Sequence, residues 1–193
     1  MMETEKHPLE PFLPEAARLL MLGSFPPKKE KWSMDFFYPN FINDMWRIFG
    51  IVFFHDRFHF VSGDGKHFDK DRIVSFCRET GIALFDTAAE VVRHKDNASD
   101  KFLEIVSPTD LKGLLERIPE CRTIVTTGEK ATDTLCGIFG CRKPKTGESV
   151  RFSTPEGREM TFYRMPSSSR AYPMSVDRKA EIYKAMFTAS GIL

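Results

Sequence analysis

The sequence is poor in cysteine, with four in 193 residues. Cys77, Cys121, Cys136 and Cys141 are too scattered for a disulfide framework, and the wide Cys136 to Cys141 spacing, with no Cys or His pair nearby, is a poor metal signal. Long hydrophobic runs are lacking too: none approaches the roughly 20 apolar residues of a membrane span. Neither charge sign dominates, since 28 Lys plus Arg against 27 Asp plus Glu leave a formal charge of +1. A polyanionic partner must therefore be met by a local basic patch. The chain has no Gly-x-Gly-x-x-Gly and no Gly-Lys-Ser/Thr, which removes the familiar phosphate loops. It also has no repeat, low-complexity tract or Gly/Ser linker, so one domain over residues 1–193 is expected. The opening Met1-Met2-Glu3-Thr4-Glu5-Lys6 lacks the basic-then-apolar order of a secretion signal. A cytoplasmic monomer with free thiols, no metal, no cofactor, no membrane association and no obligate protein partner is the expectation.

What the chain does have is a regular alternation of elements. Arg18 to Leu22 is a short continuous apolar run stopped by Gly23, the pattern of a strand buried on both faces. The pattern recurs at Gly81 to Phe85 and Arg122 to Thr127, and Phe152 and Met160 to Arg164 read as later strands around the turn Pro155-Glu156-Gly157. Helical patterns cover Asn43 to Phe49, Lys70 to Thr80, Thr109 to Arg117, Glu129 to Ile138 and Val176 to Thr188, the last capped by Ser175. Phe54-His55-Asp56-Arg57-Phe58-His59-Phe60 reads as an alternating strand edge. Strands separated by helices imply βαβ units, hence a parallel sheet covered on both faces. Ligands in such folds bind beyond the carboxyl ends of the strands. Those ends are Gly23 to Pro27, Asp86-Thr87, Thr127-Gly128 and Pro166 to Ser169.

Gly23 to Pro27 reads as a rigid turn that brings backbone N–H groups close to a ligand, or as a tight strand-to-loop turn and nothing more. The aromatic stretch Phe36 to Trp46 reads mostly as core, with rings left at a pocket mouth able to stack on a base. Basic residues gather in the predicted loops at Lys28, Lys29 and Lys31, at Arg142, Lys143 and Lys145, and at Arg164 with Arg170. Such clusters are solvated surface or a rim that tracks phosphates.

His7-Pro8-Leu9-Glu10-Pro11-Phe12, Gly23-Ser24-Phe25-Pro26, Tyr38-Pro39 with Asn43-x-x-Trp46, Gly81 to Asp86 and Pro166-Ser167-Ser168-Ser169 occur in the order found in the uracil-DNA glycosylase superfamily. They resemble most its hypoxanthine-DNA (deoxyinosine) glycosylase branch, over nearly the whole chain. The resemblance implies a three-layer α/β/α fold with a central, mostly parallel four-stranded sheet, and a DNA glycosylase of base excision repair, which flips a deaminated base, uracil or hypoxanthine, out of damaged DNA and hydrolyses its N-glycosidic bond without a metal. It implies Asn43 as the catalytic, water-orienting residue, with capping of the following helix as its alternative role. Gly23, Ser24, Phe25, Phe37, Tyr38 and Asp86 would form the base-binding pocket. Ser167, Ser168, Ser169, Arg170, Tyr172, Lys28 and Lys29 would contact DNA. Phe25 stands where many members carry a water-placing Asp or Asn, and Arg170-Ala171-Tyr172 replaces the usual Pro-Ala-Asn. Asp86 can only accept a hydrogen bond, which suits an imide N–H, and its charge needs compensation if the base leaves as an anion. The plain alternative for Asp86 is a cap on a helical turn over Thr87 to Glu90. Two competing functions are a nucleic-acid binder with altered chemistry and an unrelated serine-type hydrolase using Ser24 or Ser168.

Overall fold

A computed structural model of the chain describes residues 3–94 and 100–193. In chain order the elements are β1 (Thr4–Lys6), β2 (Leu19–Gly23), α1 (Met45–Phe54), α2 (Lys70–Thr80), β3 (Ile82–Asp86), β4 (Ala88–Arg93) and β5 (Leu103–Pro108). They continue with α3 (Leu111–Arg117), β6 (Thr123–Thr127), α4 (Glu129–Phe139), β7 (Ser149–Ser153), β8 (Glu159–Met165) and α5 (Val176–Ala189). The central sheet has the order β3-β2-β6-β8-β7. Its first four strands are mutually parallel, as expected. A fifth strand extends the expected four, because the turn at Pro155 to Gly157 makes β7 an antiparallel hairpin partner of β8. β2, β3 and β6 are buried at every residue, which is why they read as unbroken apolar runs.

The connections from β2 to β3 and from β3 to β6 run in opposite directions across the sheet. Right-handed crossovers therefore put their helices on opposite faces. On one face α1, α2 and α5 share an aromatic layer. The Phe49 ring lies 5.2 Å from Phe187, 5.2 Å from Trp46 and 5.9 Å from Phe76, mostly edge to face. On the other, Leu115 of α3 and Phe139 of α4 line one small cavity with Thr154 and Arg158. No helix among the described residues is long and apolar enough to cross a membrane.

Three local expectations are corrected. Thr87 to Glu90 forms no helical turn. It opens β4, which pairs with β1 and β5 in a second, three-stranded antiparallel sheet. Pairing partners on both sides decide the matter against local helix propensity. The alternating run at Phe54 to Phe60 is no strand. Phe54 ends α1, His55 caps it in the left-handed conformation (φ 56°), and the chain folds back so that Phe54 and His59 stack at 3.6 Å. The helix expected from Thr109 begins at Leu111, because Asp110 caps it by accepting from the Gly113 N–H while Ser107-Pro108 close β5.

The N-terminal segment covers the sheet edge. Phe12 exchanges two backbone hydrogen bonds with Leu84 of β3, His7 N–H donates to Ala89 carbonyl, and Thr4–Lys6 pairs with β4. One antiparallel register thus runs from Phe12 back to Thr4, and it carries His7 past the carboxyl end of β3.

Because Phe49 is fully buried where three helices meet, Phe49→Ala is expected to destabilise the protein by about 3–5 kcal/mol. Urea unfolding followed by far-UV circular dichroism would check it.

Candidate functional site at the carboxyl ends of the parallel strands

Asp86 ends β3 with its side chain buried. One carboxylate oxygen lies 2.9 Å from His7 Nε2, and the other packs against Gly23 at the end of β2. A Cβ at Gly23 would come within 2.4 Å of that oxygen and 3.6 Å of the Tyr38 hydroxyl, so glycine is what lets the two strand ends hold the carboxylate between them. The His7 ring is wedged between Phe85 at 4.5 Å, Phe25 at 5.2 Å and Phe37 at 6.3 Å. Its Nδ1 lies 2.9 Å from Leu9 carbonyl and 3.2 Å from Leu9 N. A carboxylate only accepts, so Nε2 carries the proton that it shares with Asp86, while Nδ1 faces both the carbonyl and the N–H of Leu9.

Tyr38 closes this half of the site. It takes the left-handed conformation (φ 50°), a strained state for a bulky residue, and its hydroxyl shares a 3.0 Å hydrogen bond with Thr127 Oγ1 at the end of β6. Burial first, then the charge of Asp86, pushes the phenol well above its ordinary pKa against a smaller lowering by Thr127. Tyr38 is therefore a neutral O–H at any working pH. Trp46 of α1 packs on Tyr38 at 6.1 Å and donates its indole N–H to Phe37 carbonyl at 3.0 Å. Phe37 itself is covered and serves as wall behind His7. Phe25 is held between His7 and Arg93, whose guanidinium sits 5.9 Å from the ring and makes a two-pronged pair with Glu5 at 3.0 Å.

The second half of the site joins the start of α1 to the serine loop after β8. Asn43 Oδ1 accepts the Met45 N–H at 2.9 Å, so Asn43 does cap the helix. That frees the Asp44 carboxylate, which pairs with Lys179 Nζ of α5 at 3.1 Å and Arg170 at 3.5 Å, while its backbone N–H donates to Ser168 carbonyl. Lys179 is fully buried and also donates to Ser169 carbonyl at 2.8 Å. Tyr183 Oη donates to Pro166 carbonyl at 2.9 Å. Within the loop, Ser167 Oγ accepts from Ser169 N–H and Ser169 Oγ from Ala171 N–H. The Tyr172 ring lies 6.0 Å from Lys179 Nζ.

Several of the basic residues expected at the rim have acidic neighbours. Lys29 pairs with Asp35 and lies over Trp32. Lys143 pairs with Glu129 and Asp133, and Arg164 with Glu129. Ser24 is buried, and its carbonyl accepts the Ala88 N–H. Both His7 nitrogens are engaged by Asp86 and Leu9, so His7 supplies no free imidazole nitrogen to a serine nucleophile. Among the described residues no cluster of three or more His, Cys, Asp or Glu could hold a metal ion. Sequence reasoning gave no role to His7, Asp44 or Lys179. His7 stands in a motif that was noticed, whereas the Asp44 to Lys179 pairing leaves no local signal.

No protein-family model matches the sequence, and neither does any curated protein. Among solved structures, the chain is similar to the solution NMR structure of "a putative Uracil DNA glycosylase from Methanosarcina acetivorans". The two share 20% identity with a TM-score of 0.62, over 94% of this chain and 98% of that one. At that identity the likeness shows a shared fold.

Removing one partner of a buried ion pair is far more damaging than removing both. Lys179→Met is therefore expected to lose about 3–5 kcal/mol of stability, and Asp44→Asn in the same chain to restore part of it. Urea unfolding of the single and double variants would test the coupling.

Proposed function

We propose that the protein is a monofunctional DNA N-glycosylase that hydrolyses the N-glycosidic bond of a flipped deaminated base, uracil or hypoxanthine, in base excision repair. The observation that carries this reading is the His7–Asp86 pair, set against Gly23 beneath Tyr38 at the strand ends of a fold shared with "a putative Uracil DNA glycosylase". Asp86 accepts the imide or lactam N–H of the base, which the corresponding ring nitrogens of adenine and cytosine lack. The His7 Nε2–H donates to the carboxylate and offsets part of its charge toward the anion that forms as the base departs. Tyr38 contributes a neutral hydroxyl, and Phe25 an apolar wall.

Asn43 has a second lone pair on Oδ1 beyond the one used by Met45. An amide is no base, so it orients water and does not deprotonate it. That suffices if base departure leads, because the oxocarbenium-like sugar is electrophilic enough for neutral water. The serine loop and Arg170 hold the strand beside the extruded nucleotide. Extrusion is easiest at a mispaired base, so deamination products are favoured before any contact is made.

Asn43→Ser keeps a helix-capping oxygen and removes the amide. It is expected to keep the thermal midpoint and to slow single-turnover base release by about a hundredfold on uracil- or hypoxanthine-containing duplex. Unchanged release would leave Asn43 a cap only. Release absent from the wild-type protein, with DNA binding intact, would reduce the function to binding.

His7→Ala leaves Asp86 an uncompensated buried charge and is expected to lower base release by at least about tenfold. His7→Ala with Asp86→Asn should recover part of that loss, because the charge is gone. Equal losses in the single and double variants would refute charge compensation.

A further inference from the structure

Beside the serine loop lies a cavity of about 320 Å³ lined by three arginines from separate parts of the chain: Arg47 in α1, Arg57 beyond it and Arg170 after the serines. Its acidic neighbours are already matched. Asp44 is held by Lys179 and Arg170, and Asp177 by Arg57 at 2.8 Å in a largely exposed pair. Four cations thus face two carboxylates, and the surplus is positive. Arg47 is locked in place, with its guanidinium over the Phe41 and Phe68 rings and Nη1 donating to the carbonyls of Phe41 and Asn43. Its other N–H groups are not used by those bonds. Burial, then Arg170, lowers the Arg47 pKa, with Arg57 adding a smaller push and Asp44 opposing it. The like charges are close enough to repel, and an anion among them would relieve that repulsion. On the lip stands Phe58, 61% exposed, an apolar ring that a free inorganic anion could not use.

We infer that this cavity is a phosphate-binding site that takes a backbone phosphodiester of the DNA strand, with Phe58 as a platform for an adjacent base. Arginine is suited to this work, since its planar fork matches two phosphate oxygens. An exposed aromatic beside a cationic groove is the pairing that holds unstacked nucleotides without regard to sequence. The exposed Arg57–Asp177 pair is weak and can give way to a phosphate. The inference rests on the DNA-binding reading above and adds to it a second grip, apart from the pair that would read the base.

The test is equilibrium binding of wild-type, Arg57→Gln and Phe58→Ala protein to a duplex bearing an abasic-site analogue, across a salt series. It is accompanied by calorimetric titration of each protein with inorganic phosphate at fixed ionic strength. Arg57→Gln is expected to flatten the slope of log K against log salt by about 0.9 and to abolish the phosphate heat. Phe58→Ala should keep that heat and weaken DNA binding by about tenfold at every salt concentration. A steep wild-type slope left unchanged by Arg57→Gln overturns this inference and spares DNA binding. A phosphate heat lost in Arg57→Gln without any change in DNA slope assigns the cavity to free phosphate and overturns the DNA source. A wild-type slope near zero overturns the DNA-binding reading itself, and the phosphodiester assignment with it.

Discussion

The buried pair between Asp44 and Lys179 is the contact on which the geometry of the serine loop depends. Asp44 stands at the first turn of α1 and Lys179 in the first turns of α5, and the loop after β8 is threaded between them. Each partner makes a second bond to that loop, Asp44 through its N–H to Ser168 and Lys179 to Ser169 carbonyl. Two charges taken out of water are stable only when their remaining polar groups are satisfied; here the Ser169 carbonyl does so for the Lys179 ammonium and Arg170 for the second oxygen of Asp44. The loop conformation and the ion pair therefore require each other. A loop shifted by one residue would leave a buried ammonium under-coordinated.

The half of the site around Asp86 follows a different rule, exclusion by close packing. Asp86 has one oxygen on His7 and the other pressed against Gly23, which leaves the carboxylate almost no freedom. The strained Tyr38 backbone is held by the Thr127 hydrogen bond and by Trp46, so strand ends β2, β3 and β6 converge on one small volume. Trp46 and Tyr183 link the halves. Trp46 fixes Phe37 and packs on Tyr38, while Tyr183 ties Pro166 beneath the serines. A ligand seated at Asp86 thus meets side chains whose positions are set by α1 and α5 as well as by the sheet.

Much of this was legible in sequence because burial on both faces writes itself as an unbroken apolar run. β2, β3 and β6 follow that rule to within a residue. β4 and β5 do not. Their outer residues are half-covered or exposed, and what makes them strands is mutual pairing and the N-terminal segment, neither of which leaves a local mark. The same limit applies to the site. Asp86, Gly23 and Tyr38 stand at strand ends or in a conspicuous aromatic stretch and could be singled out. Lys179 reads as one more polar residue on an amphipathic helix, and only its partner, 135 positions away in the chain, explains its burial. Asn43 shows the converse difficulty, since a helix cap and a water-orienting amide call for the same residue in the same place.

A formal charge of +1 conceals an uneven distribution, which emerges when the charges are followed to their partners. The deep ones cancel at home, Asp44 against Lys179 and Asp86 against His7 when that ring is protonated. Lysines and arginines that looked like a phosphate rim in sequence, among them Lys29, Lys143 and Arg164, face Asp35, Glu129 and Asp133. Beside the serine loop Arg47, Arg57 and Arg170 surround one cavity, where four cations including Lys179 face the carboxylates of Asp44 and Asp177. Field strength at a surface depends on such local surplus, which the arginines supply, and on a low-dielectric wall behind it, which the Phe41 and Phe68 rings under Arg47 supply. A near-neutral chain can therefore carry a local cationic surface that is kept apart from the buried carboxylate of Asp86.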